Sequence, residues 1–199
     1  MSGQYFENNS GLKHDIHEYS LSMNGKTFRF LTDSGVFSRN YFDFGSRNLV
    51  ELFKPFEGAK SFLDLGCGYG PIGTIVKKMY PLLDVSLSDV NPRAIELAQQ
   101  NLLKNDVFAT VILSDGFNEI NQTFDIILLN PPIRAGKQTV YNLYKESYHH
   151  LNNQGELWIV IQKKQGAESS IKFLKEYFQI VEIVDKNKGY FIIRNKKTL

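Results

Sequence analysis

From residue 60 onward the chain alternates short apolar runs with amphipathic segments, and this alternation limits the fold more than any other feature. The apolar runs are nearly continuous, which is typical of strands buried on both faces of a parallel sheet. The predicted strands cover residues 60–65, 83–90, 108–115, 124–130 and 156–162, and the predicted helices cover residues 71–80, 91–105, 138–151 and 168–178. The pattern therefore predicts an α/β fold with a doubly wound, mostly parallel sheet.

The last two strands of the pattern are predicted to form an antiparallel hairpin. Residues 179–185 and 189–195 are both largely apolar, and only Lys186-Asn187-Lys188 joins them. Parallel neighbours need a crossover of about a dozen or more residues, so this connection is too short for a parallel pair. The sequence therefore predicts a seven-stranded, mostly parallel sheet with an antiparallel C-terminal hairpin.

A separate N-terminal β-hairpin is also predicted. Asn24-Gly25, a favoured centre of a tight hairpin turn, lies between two short alternating runs and places this hairpin at residues 18–31. An ordered loop follows, and Ser46 is the predicted cap of a helix over residues 47–55. The predicted domain division is residues 1–45 for the hairpin and loop, packed on a main domain of residues 46–199.

The composition is that of an ordinary soluble globular protein. Hydrophobic residues make up 42% and charged residues 22% of the 199 residues, and no apolar run approaches the roughly 20 residues of a membrane helix. The first residues are polar, which is not typical of a secretory signal. The single cysteine, Cys67, excludes an internal disulfide and fits a reducing compartment. We therefore expect a cytoplasmic protein with no membrane partner and, since Cys and His are scattered, no metal.

The net charge of +2 conceals an uneven distribution along the chain. Residues 160–199 carry nine Lys and Arg against four Asp and Glu, whereas the preceding part is slightly acidic. A local surplus of positive charge attracts polyanions such as nucleic acid. The alternative interpretation is a solvated, lysine-rich surface without a partner, and charge alone leaves both open.

The stretch DLGCGYGPIG, residues 64–73, connects the first strand of the sheet to the following helix. Glycine adopts positive φ and lets a ligand approach the backbone, and a helix start adds exposed N–H groups. The spacing G-x-G-x-G differs from the G-x-G-x-x-G of dinucleotide-binding domains, and Asp64 would repel a phosphate but attract a cation. These residues indicate a nucleoside-like, positively charged ligand such as S-adenosylmethionine; the alternative is a tight turn with no ligand.

Polar residues follow three more strands, at the edge where ligands of such sheets bind. Asp89 ends the second strand and suits two ribose hydroxyls, since a carboxylate offers two acceptor oxygens. Asp115-Gly116 follow the third strand. Asn130-Pro131-Pro132 follow the fourth, where the prolines hold a fixed amide and free a carbonyl, both acceptors for an NH₂ group. The alternative for this last motif is a purely structural turn.

Together, DLGCGYGPIG, Asp89 and NPPI resemble the class I S-adenosylmethionine-dependent methyltransferases. GVFS at residues 35–38 and NPPIRAGK at residues 130–137 narrow the resemblance to the "methyltransferase small" family of bacterial ribosomal RNA guanine-N2 methyltransferases. The resemblance covers about residues 18–195. It implies a Rossmann-like sheet, S-adenosylmethionine as cofactor, and methyl transfer to an exocyclic amino group of a base, most specifically guanine N2 of 16S ribosomal RNA. The expected partner is ribosomal RNA or the small ribosomal subunit, and we expect a monomer or weak dimer.

The resemblance also implies roles for individual positions. The amino-acid part of the cofactor would lie against Asp64, Gly66, Cys67, Gly68 and Gly70. The ribose and adenine would lie against Asp89, Val90, Asp115 and Gly116. Phe37 would help to close the pocket. Asn130, which also borders the cofactor, would position the target amine together with Pro131 and Pro132. Cys67 would fill space in the turn and not act as a nucleophile, because a sulfonium is already an activated methyl donor.

The chain departs from the family pattern in two ways. Many relatives have Tyr or Phe after the prolines to stack on the substrate, whereas this chain has Ile133, so stacking is expected from Phe37 or Tyr41. Larger members carry a second, N-terminal domain for which this length leaves no room, so grip on the RNA is expected from the hairpin and the basic C-terminal region. The expected substrate-binding residues are Ile133, Arg134, Lys137, Lys186 and Lys188.

Two other functions stay open from the sequence. An NPP motif also serves methylation of a glutamine side-chain amide, which makes a protein glutamine-N5 methyltransferase the alternative enzyme. A non-catalytic, RNA-binding relative is the second alternative, although such a protein would not need to keep both Asp89 and Asn130. The basic C-terminal region, the GVFS segment and Ile133 favour RNA over protein.

Overall fold

The computed structural model describes residues 14–36 and 41–198. These residues form a two-stranded sheet, a seven-stranded sheet and five α-helices. The strands are β1 (His17–Met23), β2 (Lys26–Thr32), β3 (Ser61–Leu65), β4 (Asp84–Asp89), β5 (Thr110–Leu113), β6 (Phe124–Leu129), β7 (Leu151–Gln162), β8 (Ile180–Asn187) and β9 (Tyr190–Lys196). The helices are α1 (Phe44–Leu52), α2 (Pro71–Met79), α3 (Pro92–Lys104), α4 (Lys137–His149) and α5 (Ala167–Leu174).

The large sheet has the strand order β5-β4-β3-β6-β7-β9-β8. The five strands from β5 to β7 in this order are parallel, and β9 lies antiparallel between β7 and β8. The predicted doubly wound, seven-stranded sheet with an antiparallel C-terminal hairpin is therefore confirmed, as is the separate N-terminal hairpin formed by β1 and β2. The winding reverses between β3 and β6, and ligands of such sheets bind at the carboxyl ends of the strands beside this reversal.

Both faces of the large sheet are buried at its inner strands, as the nearly continuous apolar runs predict. In β6, Ile126 and Leu128 belong to a cluster that includes residues of α2, α3 and the N-terminal hairpin, whereas Ile127 and Leu129 belong to one that includes residues of α4 and α5. All four side chains are completely buried. Successive residues of a strand point to opposite faces, so a strand that is apolar at every position needs a covering layer on each side.

Two asparagines of α3 hold the N-terminal hairpin against the rest of the molecule. Asn101 accepts from the N–H of Leu31 at 2.7 Å and donates to its carbonyl at 2.8 Å. Asn105 makes the same pair of bonds with Arg29, at 3.0 Å and 2.7 Å. These side-chain amides pair with the free backbone N–H and C=O groups at the edge of β2, as a neighbouring strand would. The hairpin is therefore attached through its backbone as well as through its apolar face.

Helix α1 begins at Phe44, earlier than predicted, and its cap is Asp43. The carboxylate of Asp43 accepts from the backbone N–H of Gly45 at 2.9 Å and of Ser46 at 3.0 Å. The prediction of Ser46 as the cap is therefore wrong, and Ser46 lies in the first turn. The two oxygens of a carboxylate satisfy two unpaired N–H groups at once. The predicted domain boundary between residues 45 and 46 falls inside this helix.

Strand β7 begins at Leu151, where the sequence predicts the end of a helix. Helix α4 ends at His149, and the carbonyl of His150 accepts from the N–H of Phe124 at 2.8 Å, which begins the pairing of β7 with β6. The start of β7 is irregular, with Gln154 at φ +67°. This polar stretch has no strand-like periodicity, so only its pairing with β6 makes it part of the sheet.

No helix within residues 14–36 and 41–198 is long and apolar enough to cross a bilayer. Within the same two ranges, no three His, Cys, Asp or Glu side chains are grouped so that they could hold a metal ion. The polar side chains that do converge lie at the carboxyl ends of the parallel strands.

Candidate cofactor and acceptor site

A cavity of about 540 Å³ lies at the carboxyl ends of the parallel strands and spans the reversal of winding. We divide it into two halves. The glycine half, over β3 to β5, is lined by Gly66, Cys67, Gly68, Asp89, Val90, Asp115 and Gly116. The NPP half, over β6, β7 and β9, is lined by Asn130, Pro131, Pro132, Ile133, Arg134, Gln162, Gln165 and Tyr190. Two reactants can therefore lie side by side in one enclosure.

Gly66 and Gly68 form the floor of the glycine half. Their φ angles are +70° and +56°, which residues with a Cβ rarely adopt, and a Cβ built on either would meet no described atom within 4 Å. The backbone conformation requires glycine here, and the space beside both residues is open. The N–H of Gly68 donates to Oδ2 of Asp89 at 2.8 Å, which fixes the turn against the end of β4. This floor fits the nucleoside-like ligand expected from the sequence.

Asp64 and Gly70 do not belong to the cavity wall, although the sequence predicts that both contact the cofactor. Gly70 has φ +83°, and a Cβ there would lie 3.0 Å from the Cβ of Ala98, so this glycine allows α2 and α3 to pack closely. Asp64 is buried below the turn, where Oδ2 accepts from the N–H of Gly73 at 2.8 Å. Because the N-cap residue of α2 is Gly70, which has no side chain, Asp64 supplies the cap. In the structure, both residues thus support the glycine turn from below, and their contact with the cofactor stays a prediction.

Asp64 and Asp89 are harder to ionise than a solvated aspartate. Burial raises the pKa of Asp64 to about 7; the N–H of Gly73 lowers it in part, and the charge of Asp89 raises it further. Burial also raises the pKa of Asp89, against several hydrogen bonds from backbone N–H groups. A cation bound in the glycine half favours the ionised form of both groups, because opposite charges nearby stabilise a carboxylate.

Asp89 keeps acceptor capacity at the end of β4. Its Oδ1 accepts from the N–H of Asn91 at 2.9 Å, and its Oδ2 accepts from Gly68. Each carboxylate oxygen offers two lone pairs, so both can also accept from a ribose hydroxyl. The other residues predicted for the ribose and adenine also lie in this wall: Val90, Asp115 and Gly116.

Cys67 lines the glycine half but is only 6% exposed. Burial raises the pKa of its thiol, and the charges of Asp89 and Asp64 act in the same direction. The thiol donates to the carbonyl of Gly68 at 3.4 Å. Since the thiolate is the nucleophilic form of cysteine, these surroundings support a space-filling role.

Asn130 lies in the wall at the end of β6, and the start of α1 holds its amide. Nδ2 donates to Oγ of Ser46 at 2.9 Å and to Oδ2 of Asp43 at 3.2 Å. Since a carboxylate only accepts, the NH₂ end of the amide must face Asp43, which fixes the orientation of the group. Both hydrogen bonds between Asn130 and the described part of the chain use Nδ2, so Oδ1 is left as the acceptor for a bound group.

Pro131 and Pro132 continue the wall beside Asn130. The carbonyl of Pro131 accepts from the N–H of Ile133 at 2.9 Å, and a 3-10 helix follows at Ile133–Ala135. The carbonyl that the sequence predicts to be free is thus partly engaged. A carbonyl oxygen has a second lone pair, so Pro131 can still accept from a bound NH₂ group.

The predicted substrate-binding residues divide into two groups. Ile133 and Arg134 line the NPP half of the cavity. The ammonium groups of Lys137, Lys186 and Lys188 lie outside the wall, over the rings of Tyr141, Phe191 and Phe44, at 5.1, 4.8 and 4.7 Å from the ring centroids. Lys188 nevertheless forms the turn between β8 and β9 together with Gly189, and Lys186 lies near the end of β8, so both are at the cavity end of the sheet.

The sequence suggests that the basic C-terminal region is one surface. In the structure, its lysines lie at two different ends of the sheet. Strand β9 runs away from the cavity, and its seven residues span about 20 Å at ~3.3 Å per residue step. Lys196 and Lys197 therefore lie toward the opposite end of the sheet. Nζ of Lys197 donates there to the carbonyls of Tyr148 and Leu151, at 3.1 Å and 2.7 Å. The antiparallel strand separates lysines that are close in sequence.

Tyr190 is an aromatic residue of the site that the sequence analysis missed. Phe37, one of the two aromatics expected to replace a stacking residue at Ile133, lies outside the described residues. The other, Tyr41, is 66% exposed and does not line the cavity. Tyr190 does line it, at the first position of β9. No local signal identifies this residue, because only the placement of β9 beside β7 brings it near the NPP motif.

The order of the strands and the position of the antiparallel pair are those of the class I methyltransferase fold. The glycine turn and the Asn-Pro-Pro turn occupy the two halves of its ligand crevice. Residues 27–194 match the family model described as "Methyltransferase small domain", and the chain belongs to this family. The predicted family is thereby confirmed, and with it S-adenosylmethionine as the cofactor that the family uses.

Two relatives and one solved structure show how close this similarity is. The chain is 45% identical over 200 residues to the uncharacterized protein YbxB of Bacillus subtilis, covering 99% of this chain and 100% of YbxB. It is 30% identical over 186 residues to ribosomal RNA small subunit methyltransferase C of Vibrio cholerae, covering 90% of this chain and 52% of that protein. The structure of T. thermophilus 16S rRNA N2 G1207 methyltransferase (RsmC) in complex with AdoMet and guanosine matches with a TM-score of 0.81 and 24% identity, over 92% of this chain and 50% of that chain. The chain spans about half the length of these two methyltransferases.

Proposed function

We propose that this protein transfers a methyl group from S-adenosylmethionine to an exocyclic amino group of a base in ribosomal RNA, specifically N2 of a guanine in 16S ribosomal RNA. The Vibrio cholerae relative is named as a small-subunit ribosomal RNA methyltransferase, which supports this substrate class. The protein acts in the cytoplasm, and its substrate is ribosomal RNA that is either free or assembled in the small subunit.

The fixed orientation of Asn130 is the observation that carries the proposal. An exocyclic amine is a poor nucleophile because its lone pair is delocalised into the ring. Oδ1 of Asn130 and the second lone pair of the Pro131 carbonyl can accept the two N–H groups of such an amine. These bonds draw the lone pair out of conjugation and direct it toward the glycine half of the cavity.

The contribution of the chain to the reaction is alignment. When bound, S-adenosylmethionine supplies a methyl group already activated by its sulfonium. The glycine half and the NPP half hold the two reactants in one enclosure, and such alignment lowers a barrier by roughly 7–11 kcal/mol. No covalent intermediate on the protein is needed, which agrees with the raised pKa of the buried Cys67 thiol.

The charge around the cavity favours RNA over a protein substrate. Lys163, Lys186 and Lys188 are exposed at the cavity end of the sheet, where the carbonyl of Gly189 accepts from the N–H of Lys163 at 2.8 Å. A target base must leave its stack to enter the cavity, at a cost of a few kcal/mol. Loops and bulges of RNA present such bases most readily, with their phosphates close by.

The test is incubation of the purified protein with S-adenosylmethionine and small-subunit ribosomal RNA, free or assembled, from cells lacking the gene. Nucleoside analysis by mass spectrometry should show one additional N2-methylguanosine. Asn130→Ala should give none, whereas Asn142→Ala, an exposed asparagine on α4, should behave as wild type. Methylation of glutamine in the protein fraction instead would identify the alternative enzyme, and RNA binding without any methylation would identify a non-catalytic relative.

A further inference from the structure

The turn between β8 and β9 has an unusual residue at its first position. Lys188 and Gly189 have φ +48° and +79°. The two-residue turn of the N-terminal hairpin has almost the same geometry, with Asn24 and Gly25 at φ +49° and +73°. Asparagine is favoured in this left-handed conformation, whereas a lysine there is strained. Residues with strain of this kind cluster at binding sites, and the surroundings of the Lys188 side chain fit such a site.

The next residue, Tyr190, presents an aromatic ring to the cavity. Its ring packs on α1, because a Cβ built on Gly45 would lie 2.7 Å from Cε1 of Tyr190. The other two aromatics in the described wall, Phe42 and Tyr69, are buried, whereas Tyr190 is only half-buried. Of the described wall, Tyr190 is therefore the aromatic residue best placed to contact a ligand with its ring.

Tyr190 and Asn130 contact the same turn of α1. The ring of Tyr190 lies against Gly45, and the amide of Asn130 donates to Ser46, the next residue. A planar group whose amine is held by Asn130 therefore comes close to the Tyr190 ring.

The exposed ammonium group of Lys188 lies near the ring of Tyr190. Nζ of Lys188 lies 4.7 Å from the centroid of Phe44, whose ring is 5.6 Å from that of Tyr190. The turn itself is tied to the end of β7 by the hydrogen bond between Lys163 and Gly189. The site thus places an aromatic ring and a positive charge side by side on a fixed turn.

We propose that the turn Lys188-Gly189-Tyr190 is the acceptor-recognition element of this protein. Tyr190 contacts the face of the target base, and Lys188 binds a phosphate of the same single-stranded RNA segment. Aromatic contact with a base and a cation on the adjoining phosphate are the two contributions that hold unpaired nucleotides on proteins. This inference rests on the proposed function, since it concerns the acceptor of the same reaction.

The first test measures methylation kinetics of Tyr190→Leu and Tyr190→Phe on the RNA identified by nucleoside analysis. Tyr190→Leu should raise the KM for RNA by at least about fivefold, because one aromatic–base contact is worth that much or more. S-adenosylmethionine affinity, measured by calorimetry, should stay within about twofold of wild type. Tyr190→Phe keeps the ring and should behave as wild type. Tyr177→Leu, in a half-buried aromatic cluster away from the cavity, is the matched control and should leave KM unchanged.

The second test uses the strain in the turn. Lys188→Asn places the favoured residue in the left-handed position, so its Tm should equal or exceed that of wild type. The same variant should bind RNA more weakly in fluorescence anisotropy, with the slope of log K against log salt reduced by about 0.7. Asn24→Lys makes the reverse exchange in the other hairpin, and it should lower Tm.

The outcomes separate this inference from the proposed function. If Tyr190→Leu leaves KM unchanged and Lys188→Asn leaves the salt slope unchanged, the turn is not the recognition element. The proposed function would still stand, provided that the wild type methylates the RNA. Absence of RNA methylation by the wild type would overturn both. A gain in Tm for Lys188→Asn combined with weaker RNA binding would support the inference, because a lysine that only closed the turn would produce no loss of binding.

Discussion

Asn130 donates its amide hydrogens to Ser46 and Asp43. These two hydrogen bonds decide that the oxygen end of the amide faces a bound substrate. The motif Asn-Pro-Pro in the sequence supplies the amide but not its direction. Direction comes from a carboxylate and a hydroxyl at the start of α1, far along the chain from the motif. The two acceptors are therefore as much a part of the site as the asparagine that they orient.

Ser46→Ala removes the shorter of the two bonds while keeping a good helix former in the first turn of α1. We expect kcat to fall about tenfold, the equivalent of about 1.4 kcal/mol, with S-adenosylmethionine affinity unchanged. The check is a double-mutant cycle with Asn130→Ala. If Ser46 acts through Asn130, Ser46→Ala should have no further effect on kcat when Asn130 is already alanine. Additive losses would show that Ser46 acts elsewhere.

Asp64 supports a prediction about the pH dependence of stability. Its pKa is about 7 in the folded chain, whereas an unfolded aspartate titrates near about 3.9. Between these values the folded state holds the proton of Asp64 more tightly than the unfolded state, so the contribution of Asp64 to the free energy of unfolding falls as pH rises from about 4 to about 7. Each pKa unit is worth about 1.4 kcal/mol.

Asp64→Asn removes this titration and keeps an acceptor for the N–H of Gly73. Urea unfolding at several pH values between about 4 and 8 should show wild type losing stability relative to Asp64→Asn up to about pH 7. Above that pH the difference should stay constant. Parallel curves for the two proteins across the whole range would contradict the raised pKa of Asp64.

At the scale of elements, α3 connects the N-terminal hairpin to the glycine turn. Asn101 is completely buried and binds both Leu31 in β2 and, through Nδ2, the carbonyl of Tyr69 at 2.8 Å. The hydroxyl of Tyr69 also lies 2.8 Å from that of Tyr19 in β1. The hairpin is thus tied to the floor of the cavity at two points, although it contributes no strand to the large sheet.

Asn101→Ala should therefore affect both stability and cofactor binding. Leaving buried backbone groups unpaired costs about 1–3 kcal/mol each, so we expect a loss of about 3 kcal/mol or more in unfolding free energy. Asn105→Ala is the matched control, because Asn105 also binds β2 but makes its remaining amide bond to Asn101, away from the turn. Calorimetry should show weaker S-adenosylmethionine binding only for Asn101→Ala. Equal cofactor affinity in both variants would contradict the coupling.

At the scale of the whole molecule, the strand order divides the basic residues between two ends of the sheet. Lys163 and Lys186 lie at the cavity end, and Lys60 and Lys196 lie toward the opposite end. Sequence alone places Lys186 and Lys196 in one basic region. Because β9 is antiparallel to β7, the two lysines face different surroundings, and only the first can assist a substrate in the cavity.

Charge reversal in two pairs of lysines tests this division, because both double variants have the same net charge. Lys163→Glu with Lys186→Glu should weaken RNA binding and reduce the slope of log K against log salt by about 0.7 for each phosphate that the variant no longer binds. Lys60→Glu with Lys196→Glu makes the same change in net charge at the other end and should leave the slope near that of wild type. Equal effects of the two double variants would show that RNA responds to net charge alone.

Much of the fold follows from local pattern. Nearly continuous apolar runs separated by amphipathic segments require parallel strands with a covering layer on each side, and the short final connection requires an antiparallel pair. The general rule that ligands bind at the carboxyl ends of such strands then places Gly66, Asp89 and Asn130 in one crevice. Two predictions are wrong because the local pattern is weak there. Asp43 and Ser46 are both good caps, so the pattern does not decide the start of α1, and the polar start of β7 has no periodicity that indicates a strand.

The sequence by itself therefore determined the class of fold, the family and the residues that follow each strand, because these depend on periodicity and on motifs within a few residues. Only the tertiary structure decided that Asp64 caps a helix below the cavity, that Asn130 presents its oxygen, and that Tyr190 belongs to the site. Those facts depend on which strands are neighbours and on distances between residues far apart in the chain. Local sequence carries no signal for such distances, since side chains from separate elements meet only after the sheet has formed.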